Sequence, residues 1–166
     1  MLHEKMARKK FSGKREKPEY DQKLLDLARV TRVVKGGRRF RFRATLVIGN
    51  RNGKVGVGVA KGNDVSEAVR KAFNSAKKNL VIVKRFNSTI ACPVEAKTGS
   101  AVVMLKPAKA GRGIVAGGSV RSVVELAGIR DIVSKSMGSP NKLSVARATL
   151  AALEKVKVIS SREKSM

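Results

Sequence analysis

The sequence contains no tryptophan, one tyrosine, one cysteine and one histidine, and its acidic residues are few. Each shortage excludes something. Cys92 cannot form an internal disulfide, and with His3 it is the whole supply of soft metal ligands, so no zinc-ribbon set can be assembled. General acid–base catalysis most often recruits histidine, and the only one stands in a polar stretch near the start of the chain. Cys92 follows Ile90 and Ala91 and precedes Pro93, without an activating neighbour, and reads as a small buried hydrophobe. The sparse carboxylates fall mostly at helix caps and on helix faces. The chain therefore reads as no enzyme. No apolar run reaches transmembrane length and no leader with an apolar core opens the sequence, so the expectation is a cytoplasmic protein without a membrane partner.

Positive charge is abundant. Lysine and arginine number 37 against 12 acidic residues, a net +25, and the isoelectric point is near 11.2. Solubility needs far less charge than that, and the self-repulsion it causes in a compact state is offset by a permanent anionic partner. An apolar content of 42% is enough to build a core, an aliphatic one given five phenylalanines.

The densest signal is Val33-Val34-Lys35-Gly36-Gly37-Arg38-Arg39-Phe40-Arg41-Phe42-Arg43-Ala44. From Phe40 the pattern alternates, so Phe40, Phe42, Ala44, Leu46 and Ile48 share one strand face. Arg39, Arg41, Arg43, Thr45 and Val47 share the other. Residues two apart on a strand are ~6.8 Å apart, which makes the arginines a ladder of charge. Guanidinium groups match phosphate oxygens with a planar fork. Gly36-Gly37 permits a tight turn and close backbone approach. No acidic residue lies between Asp26 and Asp64, whereas Arg29, Arg32, Lys35, Arg38, Arg51, Lys54 and Lys61 join the ladder. Ordinary solvated faces mix both signs, so this one points to nucleic acid.

In chain order, residues 1–20 read as a disordered basic arm. A short helical start (Leu24, Leu25, Leu27, Ala28) leads into a strand over 29–34, then the arginine strand to Gly49. Asn52-Gly53 is a hairpin turn, and the strand over 54–60 points Val55, Val57 and Val59 inward and Gly56 and Gly58 to the opposite side. Those glycines either admit another backbone or mark a bulge. Asp64 with Glu67 opens a helix carrying Val65, Ala68, Val69, Ala72, Phe73 and Ala76 at helical period. Three antiparallel strands under one helix make the first unit, 21–85. The second unit, 86–158, reads ββαβα: strands over 88–96 and 100–106, a glycine-rich loop, and a helix over 120–127 capped by Ser119 and ended by Gly128. A strand over 129–137 and a last helix opened by Ser139-Pro140-Asn141 follow. A charged tail, 159–166, closes the chain. The fold class is α+β in two small domains.

The loop Gly111-Arg112-Gly113 invites a nucleotide-binding claim, but it lacks both the P-loop spacing and a completed Rossmann fingerprint. With Arg121 alongside it can hold a phosphate of a polymer, or the glycines serve only tight packing. No cofactor is expected.

The string Arg32-Val33-Val34-Lys35-Gly36-Gly37-Arg38-Arg39-Phe40 and the later Gly53-Lys54-Val55-Gly56-Val57-Gly58 resemble the first domain of the S-five family of small-subunit ribosomal proteins. In the second half, Thr98-Gly99-Ser100, Gly113-Ile114-Val115-Ala116-Gly117-Gly118, Ala127-Gly128-Ile129 and Val145-Ala146-Arg147-Ala148-Thr149 resemble its second domain, in the same order. The resemblance covers roughly residues 22 to 156. It implies a first domain of the double-stranded-RNA-binding-domain type, contact with small-subunit rRNA, and neighbours of the S-four and S-eight families near the messenger-RNA entry region. It further implies a part in assembly and decoding accuracy. Lys35, Gly36, Gly37 and Arg38 would be the tip that reaches into rRNA. Gly111, Arg112, Gly113 and Arg121 would lie towards the S-four partner. Specificity would rest on RNA shape and 2′-hydroxyls, because A-form RNA hides its base edges. The alternative is a free-standing RNA-binding regulator or RNA chaperone.

Overall fold

A computed structural model describes residues 19–156. It contains β1 (Asp21–Val34), β2 (Gly37–Gly49), β3 (Lys54–Gly62), α1 (Val65–Lys78), β4 (Leu80–Ile82), β5 (Val94–Thr98), β6 (Ala101–Pro107), β7 (Ile114–Val115), α2 (Gly118–Ala127), β8 (Ile132–Gly138) and α3 (Lys142–Lys155). The basic arm (apart from Glu19 and Tyr20) and the charged tail lie outside the described residues. Tyr20 is not arm-like, since its side chain is buried beneath α1.

The first sheet is antiparallel in the order β1-β2-β3-β4, one strand more than the sequence suggests. The expected helical start is strand instead. Leu24 pairs with Leu46 and Leu27 with Ala44, and a bulge between Leu24 and Asp26 accommodates Leu25, which packs on the larger core. Long-range pairing with β2 overrides a leucine spacing that locally suits a helix.

The α1 helix packs on β2 and β3 through small residues. Ala68, Ala72 and Ala76 are fully buried and face Gly56, Gly58 and Gly62. A Cβ on Gly56 would stand 2.6 Å from the Ala76 carbonyl oxygen, and one on Gly62 would stand 2.6 Å from the Ala68 nitrogen. The glycines of β3 therefore admit the helix backbone rather than facing outward. Asp64 caps α1 by accepting from Ser66 N at 3.3 Å. Glu67 accepts from Asn63 N at 2.8 Å, one residue earlier than an ordinary capping box would have it.

The opposite face of the same sheet is covered too. Val47, Val55, Val57 and Val83 join one continuous core with α2, α3, β6 and β8. Thr45 and Val47, on the arginine side of β2, are buried for this reason. Only the tip end of the β1–β2 hairpin projects beyond the two covering layers, and residues 31–41 are all exposed.

The second sheet runs β5-β6-β8-β7, with β7 parallel to β8 and the other pairs antiparallel. Residues 88–93 are irregular where a strand was expected, and Pro93 could not donate to a ladder there. Cys92 is half-buried rather than buried. α2 begins earlier than a Ser119 cap would have it: Gly117 is its N-cap, without a side-chain bond. Gly128 ends α2 with φ 82, its N–H bonded to Glu125 O, and Ile129 N bonds to Val124 O; β8 then starts at Ile132, not Ile129. Within the Ser139-Pro140-Asn141 opening it is Asn141 that caps α3, accepting from Leu143 N at 3.1 Å.

Candidate nucleic-acid interface

Register decides which basic residues share a surface. Arg39 stands opposite Arg32, Arg41 opposite Val30, and Arg43 lies between Ala28 and Lys61. Directly paired residues in an antiparallel ladder point to one face. Arg32, Arg39, Arg41, Arg43 and Lys61 therefore lie on the sheet face away from α1, in the part that the second half of the chain leaves open.

Arg32, Arg39, Arg41 and Lys61, with Val30 and Thr31, line a hollow of about 200 Å3, with no carboxylate among the described residues that line it. Among the described residues none of the four makes an ion pair. Like charges directly opposite across a ladder repel, so the Arg32–Arg39 pair is unfavourable until an anion enters. Arg43 differs from its ladder neighbours. It is half-buried, with Nη2 3.7 Å from Asp26 Oδ2, and its Nε is buried without a hydrogen-bond partner. The ladder is thus two free rungs and one structural rung.

The tip has a second character on its other face. The Arg29 guanidinium carbon sits 3.7 Å from the centroid of the Phe40 ring. Val33 and Phe40 are exposed apolar groups there. Lys35, Gly36, Gly37 and Arg38 form the turn, and Gly37, with φ 145, holds a conformation that suits glycine. A Cβ on Gly36 would meet nothing within 4 Å.

Arg51 and Lys54 are not brought to this surface. They lie at the far end of β2, whose 13 residues span roughly 40 Å. Arg51 forms an ion pair with Asp21, Nε to Oδ2 2.8 Å, and Arg51 N donates to Leu126 O at 2.9 Å. Nor do the four loop residues act together. Gly111 and Gly113, with φ 86 and 79, shape a turn whose Gly113 N–H donates to Asp131 Oδ1 at 2.8 Å. The Gly113 amide, helped by Ser88, holds the Asp131 carboxyl below the usual carboxylate range. Arg112 is exposed on this turn. Arg121, on α2, lines a separate cleft with Arg51, Arg85 and Arg130. Arg85 and Arg130 escaped the sequence reading because they lie far apart in the chain, outside any basic run like that of β2, and only the fold gathers them.

Two family models match the chain. Ribosomal protein S5, N-terminal domain, covers residues 20–84, and ribosomal protein S5, C-terminal domain, covers residues 96–164. The chain belongs to the ribosomal protein S5 family. Among its relatives, small ribosomal subunit protein uS5 of Campylobacter jejuni strain 81-176 is 53% identical over 139 residues, 84% of this chain and 95% of that one. The protein of the same name from strain RM1221 gives the same figures. A member of this family is a ribosomal protein with a structural rather than an enzymatic role, located with the ribosome in the cytoplasm.

Proposed function

We propose that this protein binds small-subunit rRNA as a structural constituent of the small ribosomal subunit, and supports its assembly and translational accuracy. The observation that carries the reading is the hollow at Arg32, Arg39, Arg41 and Lys61: four cations with no carboxylate among the described residues around them, on a hairpin that projects from both covering layers. Guanidinium groups at this spacing neutralise successive phosphates and release their counterions. The exposed turn Lys35, Gly36, Gly37 and Arg38 extends the same hairpin into a junction of RNA helices, where a narrow ribbon enters and a globular domain does not. Residues 21–85 form the RNA-facing unit in this reading, and Arg43 steadies the base of the hairpin. Residues 86–158 carry more of the protein contact. The turn at Gly111, Arg112 and Gly113 faces an S-four-family neighbour, an S-eight-family protein adjoins, and the messenger-RNA entry region is close.

The test is sedimentation of the tagged full chain through gradients of cell lysate at low and high salt. One copy per small subunit, retained in high salt, is the expected result. Release into light fractions together with binding to any RNA would make the protein a free-standing regulator or chaperone.

A further inference from the structure

A second basic site lies at the opposite end of β2 from the hairpin tip. A cleft of about 730 Å3 is lined by Arg51, Arg85, Arg121 and Arg130, which come from the β2–β3 turn, the segment after β4, helix α2 and the segment before β8. The one carboxylate among the described residues that line it, Glu125, is already bonded to Lys23 Nζ at 3.0 Å. Arg51 has its own partner in Asp21.

Arg85 is fixed in place. Its Nη1 donates to Gly128 O at 3.2 Å and to Arg51 O at 3.4 Å, and its Nη2 donates to Asn52 Oδ1 at 2.8 Å. These acceptors are neutral, so the guanidinium is held by the fold while its charge stays uncompensated. Arg121 and Arg130 make no ion pair among the described residues, and both are exposed. Four chain segments thus converge like charges on one concavity, one of them immobilised. Such an arrangement costs repulsion and preorganises a polyanion site.

The geometry points to this cleft as a seat for an RNA phosphodiester segment, separate from the hairpin surface and gripping the strand through Arg85, Arg121 and Arg130. The lining cations are all arginine, whose fork takes two phosphate oxygens at once. Asn87 also lines the cleft, a neutral hydrogen-bonding group suited to a 2′-hydroxyl, while the Ser88 hydroxyl is already engaged by Asp131. A single acidic side chain of a protein would neutralise one guanidinium and leave the others unmatched, whereas successive phosphates supply repeated charge. The inference rests on rRNA binding as proposed above and assigns Arg121 to RNA rather than to the glycine turn. It also makes the protein a two-point clamp whose contacts are roughly 30 Å apart along β2.

The experiment compares three full-length proteins on small-subunit rRNA across a salt series: the unaltered chain, Arg121→Gln with Arg130→Gln, and Arg32→Gln with Arg39→Gln and Arg41→Gln. The cleft pair makes no side-chain hydrogen bond within the described residues, so its melting temperature should be unchanged. Its log-log salt slope should flatten by about 1 to 2. A photo-crosslinking residue at Asn87 should attach to rRNA in assembled subunits. An unchanged slope with the cleft pair alone overturns the cleft, while an unchanged slope with both variants overturns the RNA-binding reading itself. A crosslink solely to a neighbouring protein overturns the cleft as an RNA site.

Discussion

Asp26, on β1, accepts a hydrogen bond from Lys142 Nζ at 3.0 Å and stands 3.7 Å from Arg43 Nη2, so one carboxylate ties the RNA-facing hairpin to the first residue of α3. The two partners differ in what they leave behind. Lys142 is exposed, and losing it returns Asp26 to water. Losing Asp26 leaves Arg43, whose Nε is already buried without a partner, short of its only counterion among the described residues. Lys142→Ala should cost about 0.5 kcal/mol or less. Asp26→Ala should cost about 1–2 kcal/mol, because a partly desolvated cation is uncompensated. Urea unfolding of both variants checks the asymmetry, and equal losses would contradict it.

The seam between α1 and β3 makes a sharper steric statement. A Cβ on Gly58 would collide with the Ala72 carbonyl oxygen and the Ala76 nitrogen, both backbone atoms that cannot swing aside. Gly58→Ala should therefore destabilise by about 1–3 kcal/mol. Gly37→Ala should cost a comparable amount for a different reason, its φ of 145. Gly36→Ala, with open space around it, should stay within about 0.5 kcal/mol. Thermal melts of the three rank these causes. A Gly58→Ala protein that melts like the parent would mean α1 is not seated against β3.

Those glycines also show how far local pattern carries. The alternation of valine and glycine along β3 was legible, and so were the hairpin turns, α1 and the glycine that ends α2. Which side of β3 met solvent was not. The strand reads as one-faced, whereas α1 covers its glycines and the second half of the chain covers Val55 and Val57, leaving Val59 half-buried. Periodicity reports that two faces differ, not that one of them is wet. The same limit hid Arg43, whose place in the alternation matches Arg39 and Arg41 although the neighbouring domain half-buries it. The leucines of β1 mislead in the opposite direction: their local spacing suits a helix, and only the partner strand some twenty positions on decides. The cleft arginines belong to four segments, so no window along the sequence contains them.

Asp131 gives the turn at Gly111–Gly113 a pH dependence. Its folded pKa is depressed, chiefly by the Gly113 amide and then by Ser88. A depressed carboxyl contributes stability that is present above its unfolded pKa and lost as pH falls through the folded value. The acid limb of a stability curve should thus drop as the medium passes below the ordinary carboxylate range. Asp131→Asn should flatten that limb and lower stability at neutral pH, since an amide accepts the Gly113 bond less strongly. Unfolding measured from pH 2 to 7 checks the sign, and a steeper acid limb in the variant would refute it.

The free rungs of the ladder set function against stability. Arg32 and Arg39 face each other across β1 and β2, and Arg41 and Lys61 add charge to the same hollow, so the unliganded hairpin holds repulsion that only an anion relieves. Replacing Arg32, Arg39 and Arg41 by glutamine should leave the melting temperature equal or slightly raised. The same change should weaken rRNA binding and flatten the salt slope by about 2 to 3, one unit for each lost phosphate contact. Arg43→Gln should behave in reverse, with stability reduced and the slope nearly unchanged, because that residue is engaged by Asp26. Melting and salt-series binding on both proteins separate the roles. If the triple variant melts lower and binds as the parent does, the arginines belong to the fold and the anion site lies elsewhere.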